Sequence, residues 1–392
     1  MAGHNSGQRR KRLRVFLVVS LFSLLWPVFF LSSEEIIENA GYAGPKITLR
    51  YALWGGAGEV EYSREICRRF VQQYPSLRLS VAVYPWGQYW AKLQTQTAAG
   101  LAPDIISFYT FNLGVWVTRG ALRALDDLVA SSRFDLGNFH QAAVKVCTWN
   151  GQLYCLPVEI PMRVLVFSLD RFQERGLPEH LWPQPDRPLN WEEFKQLCRW
   201  LTIREKDGTF KQYGFGVGPH WNELMSGIYG GRMVDRLVNP TRSAVSGNEA
   251  LKRGLIEIFS CQYGERTTLG SIPLAAGAWG GTHLLLSPKF AMTIAGPWDL
   301  PALKKAGVRF GLSPLPRATH CPQMIDVNGV ALSATCRHPQ EAWTFLQFLA
   351  SPEIQPIFGR RLKGIPALKS ASQALLDNDF GISGCQAFLV DL

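Results

Sequence analysis

Residues 47–108 read ITLRYALWGGAGEVEYSREICRRFVQQYPSLRLSVAVYPWGQYWAKLQTQTAAGLAPDIISF. Apolar residues alternate with other residues over 47–53 and again over 77–83, which is the period-two pattern of β-strands. Between these strands, apolar residues recur at every fourth position over 62–74, so one face of a helix is apolar. Pro75 ends that helix, because proline cannot continue the backbone hydrogen bonding.

The same stretch continues with a second helix and a third strand. Residues 88–99 are predicted to be helical, with Gly100 as the C-terminal cap, and residues 104–108 form the strand. The order β-α-β-α-β is typical of a mostly parallel sheet covered by helices. Farther on, Asn190 and Glu193 have the spacing of a capping box, and Pro339 begins another apolar helix. The fold class is therefore α/β.

The bulk composition indicates an ordered chain with more than one core. At 392 residues, the chain is long enough for two lobes. Hydrophobic residues make up 47% and charged residues 18%, which argues against both disorder and a multi-spanning membrane protein. The net charge of +10 is concentrated at the start, where five basic residues fall within residues 9–14. The remaining charge is dispersed, so nucleic acid is not expected as a partner.

No sequence motif points to catalysis, a metal or a cofactor. The eight cysteines are widely spaced and contain no C-x-x-C, so neither a disulfide scaffold nor a zinc site is indicated. Cys147 and Cys155 flank an Asn150-Gly151 turn signal, and a bridge between them stays open. The chain has no phosphate-binding loop, no H-E-x-x-H and no G-x-S-x-G. We therefore expect a non-enzyme, although tryptophans and carboxylates leave a glycosidase as the least favoured alternative.

The N-terminal segment is expected to meet a membrane. Residues 1–14 are a basic tail, and residues 15–31 read VFLVVSLFSLLWPVFFL. This apolar run is near the lower limit of a spanning helix and longer than a usual signal-peptide core. It lacks a clear small-x-small cleavage site, which favours an uncleaved anchor over a cleaved signal peptide. The positive-inside rule puts the tail in the cytoplasm and the rest outside, in the periplasm or on the outer face of the plasma membrane.

Ten short segments occur in an order that resembles one protein family. They are LWGG, RRFVQQYP, WGQYWAKLQTQTAAGLAPDIISF, GALRALDDL, NGQLYCLPVEIPMRVLVFSLDRF, LNWEEF, FAMTIAGPWDLPAL, VNGVALSA, EAWTFLQFLASPE and GIP. Together they resemble the family 1 extracellular solute-binding proteins of ABC importers, the group that includes maltose-binding protein. The resemblance covers almost the whole globular part of the chain.

The resemblance implies a two-lobed periplasmic-binding-protein-like fold of type II, with the ligand in the cleft between the lobes and a hinge that closes it. The expected divisions are a linker at 32–45, a first lobe of 46–156 plus 315–337, and a second lobe of 157–314 plus 338–392. ABC permease subunits are the expected protein partners. The charged and polar cleft positions that follow the Pro-Asp motif in the family's maltose binder correspond here to Phe111 and Asn112, so maltose in particular is not implied.

A carbohydrate is the expected ligand, either a mono- or an oligosaccharide. A sugar presents apolar C–H faces and a rim of hydroxyls, so its site needs flat aromatic surfaces and a few fixed polar groups. The candidate binding residues lie at strand ends and loops: Trp54, Glu59, Trp86, Tyr109, Phe111, Glu159, Trp221, Trp279, Trp298 and Asn328. Glycerol-phosphate, a polyamine or another small solute remains an alternative, as does a membrane-tethered sensor partner.

Overall fold

The computed structural model describes residues 34–216, 226–236, 240–269, 282–321 and 326–392. Its strands are β1 (Glu35–Ile37), β2 (Ile47–Trp54), β3 (Leu77–Tyr84), β4 (Ile105–Tyr109), β5 (Thr148–Trp149), β6 (Gln152–Leu153), β7 (Cys155–Ile160), β8 (Val164–Ser168), β9 (Ile203–Arg204), β10 (Phe210–Gly216), β11 (Thr268–Leu269), β12 (Phe290–Ala295), β13 (Phe310–Ser313), β14 (Asn328–Leu332) and β15 (Ile365–Pro366). Its α-helices are α1 (Ala57–Gln73), α2 (Trp86–Ala98), α3 (Leu113–Thr118), α4 (Asp126–Ser132), α5 (Gln141–Val146), α6 (Leu169–Glu174), α7 (Trp191–Leu201), α8 (Glu249–Phe259), α9 (Thr282–Leu286), α10 (Leu300–Lys305), α11 (Pro339–Leu349) and α12 (Gln355–Arg360).

The first lobe is built on a sheet with the order β1-β3-β2-β4-β14-β7-β15. Strands β3, β2 and β4 are mutually parallel, whereas β14 runs antiparallel to both β4 and β7. Consequently β2, β4 and β7 all point the same way, and their carboxyl ends meet the beginning of β14 at one edge. This edge is where the ligands of open α/β sheets bind.

The second lobe is built on a smaller sheet with the order β11-β10-β12-β8-β13, to which β9 adds by pairing with β10. Its core includes Phe172, Phe194 and Phe215, all fully buried. Helix α7 provides one side of this core and begins at the predicted capping box. Asn190 accepts from the Glu193 amide, and Glu193 accepts from the Asn190 amide, both at 2.9 Å.

Helices pack on both faces of the first sheet. On one face, Phe70 of α1 and Phe345 of α11 lie 4.8 Å apart, and Phe345 also meets Tyr51 of β2 at 5.1 Å. On the other face, the buried Tyr89 of α2 donates to the carbonyls of Ala52 and Ser107 at 3.2 and 2.7 Å. Burying each such ring contributes about 1.5–3 kcal/mol.

The locally predicted elements are confirmed. Strands β2, β3 and β4 and helices α1 and α2 follow in the predicted order. Gly100 adopts a positive φ of 71° at the end of α2, which is the left-handed conformation that glycine tolerates best. Helix α11 begins at Pro339, as the sequence indicated.

The predicted linker is partly wrong, because residues 35–37 form strand β1 and pair antiparallel with β3. Glu35 forms an ion pair with Arg64 of α1, and Glu38 pairs with Lys46 at 3.1 Å. The beginning of the described chain is thus held on the outer edge of the first sheet.

Several predicted lobe boundaries also differ from the structure. Residues 157–160 belong to β7 of the first sheet, so the chain crosses to the second lobe at 161–163 instead. Residues 339–375 pack on the first lobe. Conversely, residues 317–320 lie on the second lobe, where their amides donate to Leu189 and Ile228. Near the C-terminus the chain meets the second lobe, since Lys304 of α10 donates to the Phe380 and Gly381 carbonyls and residues 385–388 contact β13.

The structure bears on the predicted disulfide, whereas the predicted tail and anchor lie before its first described residue. In the described residues the cysteines are free thiols, so Cys147 and Cys155 are not bridged although both are buried. The expected tail at 1–14 and the expected anchor at 15–31 lie outside the described residues. Every helix within the described ranges is too short or too polar to cross a bilayer.

Candidate functional site

The carboxyl edge of the first sheet brings three strand ends together. Asn328 opens β14, and its register partners are Tyr109, the last residue of β4, and Glu159 near the end of β7. All three were predicted as ligand contacts from their places in the sequence. The antiparallel course of β14 explains their proximity, because its first residue must lie beside the last residues of its neighbours.

Glu159 and Asn328 form a direct polar pair at this edge. The Asn328 Nδ2 donates to Glu159 Oε1 at 2.9 Å, and Glu159 is only 7% exposed. Burying a carboxylate is costly unless hydrogen bonds compensate for the lost water. The amide therefore stabilises and orients Glu159 in a fixed position, which suits a group that accepts hydrogen bonds from a ligand.

A cavity of about 60 Å³ opens beside this pair. Its lining combines apolar and polar side chains, including Trp54, Tyr62, Glu159, Asn328 and Lys363. Lys363 Nζ lies 5.8 Å from the centre of the Tyr62 ring, a cation–π distance. Because its lining mixes charged and aromatic side chains, the cavity can receive one polar edge of a ligand.

Aromatic rings continue outward from the cavity along the first lobe. Trp54 lies 5.0 Å from Trp86, Trp86 lies 5.7 Å from Tyr109, and Tyr109 lies 6.3 Å from Phe111, all between ring centres. Trp54, Trp86 and Tyr109 are half-buried, and Phe111 is 67% exposed. The structure thus joins four of the predicted aromatic residues into one continuous row.

A second polar group lies where the row meets the interlobe crossing. Tyr109 Oη donates to Asp326 Oδ2 at 2.7 Å, and Arg163 acts electrostatically on both groups. Burial raises the pKa of Asp326, and its contacts with Tyr109 and Arg163 oppose that rise without cancelling it. Burial and the neighbouring Asp326 also raise the pKa of Tyr109.

Trp298 is the described aromatic candidate on the second lobe. It lies half-exposed in a 3₁₀ turn, Pro297–Asp299, directly after β12. The Arg163 guanidinium lies 5.8 Å from the centre of its ring. Gly296 permits this turn, because a Cβ there would come within 2.2 Å of the Trp298 ring. Asp299 is buried and accepts from the Gly296 amide at 3.1 Å, so it shapes the turn.

Three predicted contacts cannot be placed in the site. Glu59 belongs to α1, but its side chain is outside the described part of the structure, and Trp221 and Trp279 lie outside the described residues. Among the described residues, no cluster of three or more His, Cys, Asp or Glu side chains could hold a metal ion.

Three site residues were missed by sequence reasoning. Arg163 faces Tyr109, Asp326 and Trp298. Asp326 carried one usable signal, since it lies two residues before β14, the strand that begins at this edge. Lys363 follows Arg360 and Arg361 in the sequence, and of these three residues it is Lys363 that lines the cavity.

The match to a family model decides the family. The model described as "Bacterial extracellular solute-binding protein" matches residues 65–380, which is most of the chain. This chain belongs to that family. Its members are extracellular binding proteins, in agreement with the resemblance noted from the sequence and with the expected place outside the cytoplasm.

Two curated relatives of this solute-binding protein have sugar-binding names. It is 24% identical over 310 residues to the galactooligosaccharide-binding protein of Bacillus subtilis (strain 168), covering 75% of this chain and 67% of that one. It is 22% identical over 278 residues to the lactose-binding protein of Rhizobium radiobacter, covering 64% and 63%.

Solved structures share its fold. An ABC substrate-binding protein from Listeria monocytogenes in complex with cycloalternan gives a TM-score of 0.73 at 19% identity, covering 88% of this chain and 86% of that one. The maltose/maltodextrin-binding domain from Bdellovibrio bacteriovorus bound to maltotriose gives 0.65 at 18%, covering 88% of each. At this identity the likeness concerns the fold, and it confirms the two-lobed periplasmic-binding-protein architecture.

Proposed function

We propose that this protein is the solute-binding component of an ABC importer and that it captures a carbohydrate between its lobes. The proposal depends on one observation: a fixed hydrogen-bond acceptor and a row of aromatic rings lie together at the carboxyl edge of the first sheet. The buried Glu159, held by Asn328, lies at the inner end of an aromatic row that begins at Trp54. A fixed acceptor suits hydroxyl groups, and the rings suit the C–H faces of a sugar.

Binding is proposed to close the cleft about the crossing segments. Arg163 belongs to the first crossing, at 161–163, and reaches groups of both lobes. Its guanidinium interacts electrostatically with Tyr109 and Asp326 of the first lobe, and it lies over the ring of Trp298 in the second lobe. A ligand that contacts Trp54 and Trp298 together would favour the closed arrangement, since only that arrangement offers both surfaces.

The charges at the site favour a neutral ligand over a phosphate. Two carboxyl groups lie at the site, the buried Glu159 at the inner end and the half-buried Asp326 beside Tyr109, and Arg163 already interacts with Asp326. A glycerol-phosphate would place its anion next to these carboxyl groups. A polyamine is the second candidate, because carboxylates beside aromatic rings also suit organic cations.

We propose that the protein binds its ligand without chemical conversion. The names of the relatives describe binding proteins, and the described residues provide fixed hydrogen bonds and stacking surfaces. An uncleaved anchor at residues 15–31 is proposed to hold the protein at the outer face of the membrane. Strand β1 ties the chain to the first lobe only a few residues after this segment.

The test is a thermal-shift and calorimetric screen of the full chain in mild detergent. Lactose, galactooligosaccharides, maltooligosaccharides, glycerol 3-phosphate and spermidine are the probes, because a ligand that binds only the folded state raises Tm. We expect a neutral sugar to raise Tm and to be recovered unchanged. Stabilisation by spermidine or glycerol 3-phosphate alone, or conversion of the sugar, would contradict the proposal.

A further inference from the structure

The outer edge of the first sheet holds the chain from the first described residue onward. Ser80 Oγ of β3 donates to Glu34 Oε2 at 2.9 Å. Residues 35–37 then pair antiparallel with β3, and Glu35 forms an ion pair with Arg64 of α1. Glu34 is therefore a fixed point of the first lobe.

This fixed point lies close in sequence to the apolar segment proposed as the membrane anchor. Residues 32 and 33 alone separate Leu31, the end of that segment, from Glu34. A polypeptide spans at most about 3.6 Å per residue, so Leu31 and Glu34 are at most about 11 Å apart. A layer of lipid headgroups is itself about 5–8 Å thick. With Leu31 at the boundary of the hydrocarbon core, Glu34 lies in the headgroup layer or just beyond it.

An exposed apolar surface lies directly beside Glu34. Ile36 is 54% exposed, and its register partner in β3 is Ser80. Ser80 pairs in turn with Arg50 of β2, so the side chains of these three residues share one face of the sheet. The Arg50 guanidinium donates to the Leu101 and Ala102 carbonyls at 3.1 and 3.2 Å, which places Leu101 at the same face. Leu101 is 61% exposed.

The acidic residues at this edge are compensated by neighbouring groups. Glu35 is paired with Arg64, and Glu38 is paired with Lys46 at 3.1 Å. Anionic lipid headgroups attract cations and repel uncompensated carboxylates. Because these two carboxylates each have a cationic partner, the edge can approach a bilayer that contains anionic lipids.

We propose that this edge, formed by Glu34, Glu35, Ile36 and Leu101, rests on the surface of a phospholipid bilayer. The proposal rests on the anchor proposed above for residues 15–31. Ile36 and Leu101 enter the headgroup layer, where an apolar side chain gains free energy because it is partly removed from water. The short tether thus selects the face of the first lobe that meets the membrane. The opposite edge of the sheet, β15, is six strand spacings from β1, or about 29 Å.

The test is fluorescence quenching in the full chain, reconstituted into nanodiscs of phosphatidylethanolamine and phosphatidylglycerol whose headgroups carry a nitroxide quencher. A fluorescent non-canonical amino acid replaces Ile36 or Leu101 in turn. Both positions are exposed, so the labelled proteins should melt at the wild-type Tm. We expect quenching at each position to exceed quenching at a control position by about threefold or more, because the quenchers are confined to the headgroup layer.

Leu376 is the matched control position. It is another large apolar residue, 40% exposed, and it follows the 3₁₀ turn Lys369–Leu375, which packs on β15 at the opposite edge of the sheet. Quenching at Ile36 and Leu101 no stronger than at Leu376, in protein that stays in the nanodiscs, overturns the membrane-facing surface and leaves the anchor intact. Protein that leaves the lipid on alkaline washing overturns the surface and the anchor together. Sugar binding by the same samples is measured separately, so neither result decides the carbohydrate function.

Discussion

The Asn328 side chain donates a hydrogen bond of 2.9 Å to Glu159 across the strands β14 and β7 of the first lobe. These residues are 169 positions apart in the chain and are register partners in the sheet. The register of these two strands therefore determines the position of the Glu159 carboxylate in the site. It also makes Glu159 the group whose alteration tests the site most cleanly.

Glu159→Gln should weaken sugar binding while keeping the fold. The amide oxygen of glutamine can still accept from Asn328, but the charge that strengthens hydrogen bonds to hydroxyls is lost. A hydrogen bond to a charged group contributes about 1.5–3 kcal/mol, so affinity should fall by roughly 10- to 100-fold in calorimetric titration. Glu61→Gln, an exposed position on α1, is the control. Equal affinity for wild type and Glu159→Gln would exclude Glu159 from the site.

Trp86→Ala should reduce affinity with little loss of stability. Trp86 is half-buried and meets Trp54 and Tyr109 edge-on. Its removal interrupts the aromatic row between Trp54 and Tyr109, and we expect an affinity loss of about tenfold, measured by tryptophan fluorescence titration. Trp200→Ala, an exposed tryptophan on α7 of the second lobe, should leave affinity unchanged. An unchanged affinity in Trp86→Ala would remove this ring from the site.

Phe345→Ala should destabilise the first lobe. The ring is fully buried between Tyr51 and Phe70, so its loss leaves a cavity and costs about 3–5 kcal/mol in the free energy of unfolding. Hydrogen exchange followed by mass spectrometry should show faster exchange in β2 and α1 and unchanged exchange in α7. Gln347→Ala, on the same helix but only partly buried, is the control. Faster exchange confined to α7 would contradict the packing of α11 on the first lobe and would indicate that it packs on the second.

Asp326→Asn should alter the pH dependence of stability. Burial raises the pKa of Asp326 in the folded protein, so the native state binds a proton more tightly than the unfolded chain does. The stability that this proton supplies is complete below the unfolded pKa of about 3.9 and is lost as pH rises through the folded value. Wild-type stability relative to Asp326→Asn should therefore decline across that window in urea titrations at successive pH values. A difference that does not change with pH would contradict the raised pKa.

The sequence predicted the elements well because each depends on neighbouring residues. Alternation defines β2 and β3, and the Asn190–Glu193 capping box begins α7 within four residues. Local sequence patterns could not predict which lobe each element joins. Helix α11 joins the first lobe because Phe345 packs on Tyr51, a contact between residues almost 300 positions apart that no local pattern records.

The candidate site was predictable to the extent that it lies at strand ends. That rule predicted four residues of the site: Trp54, Tyr109, Glu159 and Asn328. The structure brings these four residues to one edge of the first sheet. Their contact with the ligand stays a prediction. Arg163, Asp326 and Lys363 were missed because their role arises from the meeting of separate segments. Their sequence neighbourhoods are those of ordinary surface charges.

The most direct measurement is the distance between the lobes with and without ligand. Non-cysteine spin labels at Arg68 of the first lobe and Lys206 of the second, both exposed, would report it by double electron–electron resonance in the full chain. Saturation with the sugar that raises Tm should shift the distance distribution to a single, closed population. The same distribution in the free and the saturated protein would contradict a carrier whose two lobes close around its ligand.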